Sequence, residues 1–311
     1  MISCTEFIPA YSELFTFLEN NYGRDEVSRL WTYLFKPDGK GIPLINFVKE
    51  RGIRGCWDYW RGTLTEEACD CTMYLNEKAG WYMETMYRCP SKGRLLDLEK
   101  SIGIQPYHDY CMHCDSYRSA VESVGLKYIY NFIGTDHAAC SMLIYDPKIF
   151  DGRIIIDENT EILENRSANL EYFHPDFHSS LNMGIEYLGT VHGEAIIRQY
   201  LEQYTLHVYA KLIEQIRRQG LEALRTHIEK TYALEHAADA LKTWLEDQTL
   251  YVDVIYCPGV RHLKKTGREV SRWYGLTTQI VMETIAGETG LEFEMIRYCN
   301  DTGACAYKFS F

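Results

Sequence analysis

The stretch His108-Asp109-Tyr110-Cys111-Met112-His113-Cys114-Asp115 sets four imidazole or thiol groups and two carboxylates within eight residues. Written on a helix of 3.6 residues per turn, Cys111 and Cys114 share a face with His108 and Asp115, and His113 points elsewhere. A thiolate is a good nucleophile once a neighbouring cation or base lowers its pKa, and it is also a soft ligand for zinc or iron. The face can therefore hold a nucleophile, its base, or a metal. Cysteine also serves as a small buried apolar residue, but buried His and Asp beside two thiols need partners of their own.

Two further groups have chemistry to offer. His174-Pro175-Asp176-Phe177-His178 places two imidazoles four residues apart, where one helix face presents them as a ligand pair or a proton relay. Asp176 between them can orient a partner or cap the helix. Thr135-Asp136-His137 precedes Cys140 in a turn; Asp favours turns, so His137 is the member of interest.

The elements that must position these groups repeat along the chain. Phe17-Leu18 with Gly23 corresponds to Tyr187-Leu188 with Gly193, an offset of 170 residues. Arg51-Gly52 through Cys89-Pro90 aligns without a gap on Gln219-Gly220 through Cys257-Pro258, at 168, and Gly125-Leu126 and Cys140 match Gly290-Leu291 and Cys305, at 165. Each copy reads as helices, a short strand ending in Cys-Pro, more helix, and a closing pair of strands. Apolar spacing predicts helices over 13–18 and 25–33, broken at Tyr22-Gly23. Trp81, Met83, Thr85 and Tyr87 alternate as a half-buried strand, and Pro90 opens a helix. Strands are predicted over 127–133 and 139–145, and again over 292–297 and 304–311. The expected division is a first repeat over 1–145, a linker over 146–171 with one short strand at Ile154 to Ile156, and a second repeat over 172–311. Helices segregated from antiparallel strands make an α+β fold, here two tandem repeats packed as a pseudo-dimer.

Duplication provides an internal comparison. Opposite Cys111, His113, Cys114 and Asp115 the second copy has Leu276, Thr278, Gln279 and Ile280, so thiol or metal chemistry at that position belongs to the first copy alone. Both imidazoles of the His174 group are absent from the start of the first copy, where Cys4-Thr5-Glu6-Phe7-Ile8 stands. Complementary losses of this kind fit one composite site in which the Cys-His cluster of one copy faces the His-Asp-His segment of the other. Cys89 and Cys140 recur as Cys257 and Cys305 and read as packing residues.

Composition excludes several classes. A net charge of -12 argues against nucleic acid and anionic membrane as partners, both of which demand basic patches. No apolar run approaches the roughly 20 residues that span a bilayer. Eleven cysteines, an odd number in a chain of 311 residues, fit a reducing compartment better than a disulfide scaffold, and the expected location is the cytoplasm.

The segment from Cys89-Pro90 through Tyr110-Cys111-Met112-His113-Cys114-Asp115, with Gly125 and the closing Cys140 strand, resembles the L-2-amino-thiazoline-4-carboxylic acid hydrolase family. The second copy looks like a diverged relative that keeps Tyr256-Cys257-Pro258, Gly303, Cys305 and Phe309 but lacks the Cys-x-His-Cys-Asp pattern. The resemblance implies a hydrolase that opens a small nitrogen- and sulfur-containing heterocycle by adding water to an amidine-like carbon of a small-molecule substrate. In that chemistry Cys111 or Cys114 is nucleophile or metal ligand, His113 or His108 is base, Asp115 orients the base, and His174 and His178 complete the site. Arg118 holds a substrate carboxylate. Two other classes stay open: a zinc or iron enzyme using Cys111, Cys114 and His178, and a non-catalytic module whose aromatics line a small-ligand pocket.

Overall fold

A computed structural model describes residues 1–36 and 41–311, and it shows an α+β protein with twelve α-helices and two antiparallel sheets among those residues. The chain divides into two compact units. Residues 18–174 form one, and Met1–Phe17 with Pro175–Phe311 form the other, so the division falls inside the first helix.

The 18–174 unit begins with the end of α1 (Phe7–Tyr22), then α2 (Arg24–Leu34), α3 (Leu44–Arg51) and α4 (Ile53–Glu66). Gly23, with φ 86°, makes the α1–α2 break at the predicted place. Gly52 joins α3 to α4 at φ 57° and ψ -130°, backbone that a residue bearing a Cβ adopts only with strain. Strands β1 (Asp70–Asn76) and β2 (Trp81–Arg88) follow, then α5 (Pro90–Ile102), a 3-10 helix over Tyr110–Tyr117 running into α6 (Arg118–Glu122), β3 (Lys127–Asn131), β4 (Cys140–Tyr145) and β5 (Glu161–Asn165). The sheet order is β3-β4-β2-β1-β5. Cys56, Trp60 and Leu64 recur every fourth residue along α4 and, with Trp57 and with Leu44, Ile45 and Val48 of α3, bury against Cys71, Met73, Leu75, Tyr82, Met142 and Ile144 of the sheet. Each large apolar side chain so buried contributes about 1.5–3 kcal/mol.

Two expectations are corrected here. The inward face of β2 carries Tyr82 and Glu84 rather than Met83, Thr85 and Tyr87, while Trp81 is buried at the start of the strand; Tyr87 is exposed and Glu84 is buried. Ile154 to Ile156 are exposed and outside any strand, while the segment read as a linker supplies β5, which pairs with β1 from Cys71↔Asn165 to Leu75↔Glu161. Residues 146–171 are thus the edge of a sheet within this unit, because an unpaired β1 edge would leave its backbone donors and acceptors open.

The second unit takes α7 (Phe177–Val191), α8 (Glu194–Val208), α9 (Ala210–Gln219), α10 (Leu221–Leu234), β6 (Leu241–Glu246), β7 (Thr249–Val254), α11 (Pro258–Lys265), α12 (Leu276–Thr289), β8 (Glu292–Tyr298) and β9 (Cys305–Ser310). Its sheet order, β6-β7-β9-β8, is that of β1-β2-β4-β3. Gly220 repeats the strained corner of Gly52 at φ 70° and ψ -154°. Cys89 N–H donates to Ala138 O and Cys257 N–H to Thr302 O, one bond in two copies. The opening residues 1–17 pack in this unit: Phe7 stacks on Phe177, and the Tyr200 hydroxyl donates to Ala10 O.

Candidate active site

The residues of the Cys-His stretch form a 3-10 helix, and that changes which of them face inward. At three residues per turn, side chains three apart eclipse. Tyr110 and His113 form one row, Cys111, Cys114 and Tyr117 a second, and Met112, Asp115 and Arg118 a third. The first two rows line a cavity within the 18–174 unit, and the third faces outward. His113, expected to point away, points in; Asp115, expected beside the thiols, points out. The 3.6-residue assumption accounts for both errors.

Cys114 Sγ lies 3.6 Å from His113 Nε2. The other ring nitrogen, Nδ1, bonds the Tyr110 carbonyl, which accepts, so Nδ1 carries the proton and Nε2 presents a lone pair to the thiol. The Tyr110 ring packs edge-on against the imidazole at 4.8 Å, and the Tyr128 hydroxyl donates to Cys114 O at 2.9 Å. Burial holds His113 down to about 4, against the raising effect of the Tyr110 carbonyl, so the ring is neutral at pH 7. Burial also raises the Cys114 thiol well above the ordinary range, reinforced by Cys89, Cys111 and Cys140. Cys111 is raised by burial as well, with the Lys92 ammonium opposing. The pair is therefore thiol and imidazole at rest.

The cavity is also lined by groups that sequence reasoning missed. Glu67, just past the end of α4, and Glu84, on the inward face of β2, both line the cavity and are buried. Burial raises both carboxyls. Glu84 is pushed to about 7 even though the Tyr82 hydroxyl, donating at 2.5 Å, acts to lower it. Cys89 and Cys140, read as packing residues, also line the cavity, as does Lys92. The legible signal was Glu84 itself, a carboxylate between Met83 and Thr85 in an otherwise apolar-aromatic strand.

The other expected site residues lie elsewhere. His108 is exposed and bonds Glu19 at 2.8 Å. Asp115 pairs with Arg118 at 2.6 Å, and the remaining Arg118 donors reach Glu122 and the Tyr128 carbonyl, so this guanidinium is engaged outside the cavity. His137 is exposed on its turn, 3.5 Å from Asp136. His174 bonds Glu66 at 2.6 Å in the 18–174 unit and is not among the residues lining the cavity. Asp176 precedes α7 without capping it through its side chain; it accepts from Ser179, His262 and Arg268 instead. His178 is buried in the other unit, bonded to Glu235 and Tyr274. Of the expected metal set, Cys111 and Cys114 lie in the 18–174 unit and His178 in the other; among the described residues, the group close enough to hold an ion is Cys4, His178 and Glu235.

No protein-family model, curated protein or solved structure matches the chain. What fold and site define is an α+β protein with a thiol–imidazole pair in a cavity that also holds two buried carboxyls. No helix among the described residues is long and apolar enough to cross a membrane.

Proposed function

We propose that the cavity of the 18–174 unit is the site of a hydrolase that opens a small nitrogen- and sulfur-containing heterocycle, with Cys114 as nucleophile and His113 as its base. The observation that carries this reading is the 3.6 Å Cys114–His113 contact with the tautomer set by the Tyr110 carbonyl. It is the nucleophile, base and orienter arrangement of thiol hydrolysis, and it agrees with the family resemblance of the same residues.

In this mechanism the Cys114 proton passes to His113 Nε2 as sulfur bonds to the amidine-like carbon. The ring bond from that carbon to its leaving nitrogen or sulfur breaks, and the leaving atom takes a proton from Glu84 or Glu67. Water, deprotonated by the glutamate carboxylate so formed, then adds to the carbon; the bond to Cys114 breaks and the sulfur takes back the proton held by His113, which restores the thiol, the neutral imidazole and the carboxylic acid. Carboxyls raised by burial hold their proton more firmly than free ones, which is what a general acid requires. Lys92 is the cation placed to hold a substrate carboxylate, the part earlier assigned to Arg118. A reducing compartment, the cytoplasm, suits a site of four thiols.

The test is ring opening of 2-amino-thiazoline carboxylic acids and related cyclic amidines, read by release of free thiol, with mass spectrometry of the quenched enzyme. The expected result is turnover with a transient adduct on the peptide bearing Cys114, and loss of both in Cys114→Ser. Full turnover by Cys114→Ser would end this assignment.

A further inference from the structure

Cys4 opens a short 3-10 turn, His178 lies in the first turn of α7, and Glu235 follows the end of α10. All three are at least nine-tenths buried, and one ligand atom from each lies within 4.8 Å of the others. We propose that Cys4, His178 and Glu235 form a structural metal site for a zinc-class divalent ion, separate from the cavity of the 18–174 unit and independent of the hydrolase reading.

The donor set decides the class of ion. A thiolate, an imidazole and a carboxylate suit zinc, whereas magnesium and calcium take oxygen ligands. His178 Nε2 stands 3.0 and 3.1 Å from the two Glu235 oxygens. Bonds of about 2.0–2.1 Å to nitrogen and oxygen separate two tetrahedral ligands by roughly 3.3 Å, so an ion enters after the pair opens by a few tenths of an ångström. The far side of the ring is already prepared. Nδ1 lies 3.0 Å from the Tyr274 hydroxyl, the outer hydrogen bond that orients a ligating imidazole. Cys4 N–H donates to Glu235 Oε1 at 2.5 Å and turns that carboxylate. Gly259 of α11 makes room for the arrangement, since a Cβ there would meet His178 Nδ1 at 2.7 Å and the Tyr274 hydroxyl more closely still.

The duplication points the same way. The residue 168 positions before Glu235 is Glu67, which faces the cavity, and the residue 170 positions before His178 is Ile8. The same buried acid therefore meets an imidazole and a thiol in one unit, and in the other accepts from the Ser91 hydroxyl at the cavity wall. Burying a carboxylate and an imidazole is costly unless they are paired or bound to an ion, and the added thiol is what an ion uses and an ion pair does not.

The test uses full-length protein purified without an affinity tag, with elemental analysis for zinc, followed by chelator treatment and titration with cobalt(II). The expected result is one equivalent per chain with a near-ultraviolet thiolate-to-cobalt band of one-sulfur intensity. Cys4→Ser abolishes the band and weakens binding roughly a hundredfold or more. Tyr274→Phe keeps the band and weakens binding about 10- to 100-fold, and the Cys111→Ser, Cys114→Ser double variant retains the full equivalent. Failure of the wild-type chain to bind zinc or cobalt in excess overturns the proposal, as does loss of metal in the double variant with retention in Cys4→Ser. Should Cys4→Ser fail to fold by circular dichroism, the wild-type spectrum decides: an intensity of two or more thiolates, or none, overturns it.

Discussion

In the proposed mechanism Cys114 draws its reactivity from His113, because its own acidity is suppressed. Burial raises the thiol and lowers the imidazole, so the productive form is the neutral pair, and the general acid lining the same cavity must also be protonated. Two limits on pH follow. Activity is lost as pH falls through about 4, where His113 takes a proton, and again as pH rises through about 7, where Glu84 gives one up. Glu84→Gln is expected to lower kcat/KM by roughly 10²–10⁴ and to abolish the limb near 7, measured as a pH–rate profile. The same substitution tests linkage. A carboxyl raised from 4.5 to about 7 stabilises the fold below pH 4.5, and that stability is lost as pH rises through 7. The loss amounts to about 3 kcal/mol. Glu84→Gln, whose amide oxygen still accepts from Tyr82, removes this loss, so its melting temperature exceeds that of the wild type at pH 8 and matches it more nearly at pH 4.

At the scale of elements, the three-fold row pattern of the Tyr110–Tyr117 helix decides which side chains face the cavity. Substitution in the inward rows is expected to be severe: His113→Ala loses roughly 10²–10⁴ in kcat/KM. Substitution in the outward row is mild, and Asp115→Asn stays within a few-fold of wild type although it lies next to Cys114 in the chain. Its loss is confined to the exposed pair with Arg118, worth about 0–1 kcal/mol. Equal losses in the two variants would show that the segment turns as an α-helix in solution. The second copy sets α12 in the corresponding place, with Thr278 and Ile280 buried, so both the chemistry and the helix type differ there.

At the scale of the whole chain, each unit takes in residues that the repeat boundaries assign elsewhere. β5 closes the edge of β1, Arg54 joins Glu77 at 2.8 Å to Glu161 at 3.1 Å, and Ser167 N–H donates to Asp70. A fragment covering 18–174 is therefore expected to stay monomeric and melt cooperatively, whereas 18–145 exposes the β1 edge and aggregates; size-exclusion chromatography and thermal melts distinguish them. Equal behaviour of the two would show that β5 is dispensable.

Local order was legible in the chain because it is written in local terms: glycine at the helix breaks, Cys-Pro at the start of α5 and α11, and constant offsets that carry over to the same strand order in both sheets. The cluster around Cys114 was also legible, since its residue types stand side by side. What tertiary structure decided was partnership. Whether His113 or Asp115 faces Cys114 depends on the pitch of one short helix. Whether a glutamate is a raised acid, as at Glu84, or lies beside an imidazole and a thiol, as at Glu235, depends on which segments bury it. Burial shifts His113, Cys114 and Glu84 in the cavity, and burial is a property of contacts far apart in sequence, which no stretch of eight residues contains.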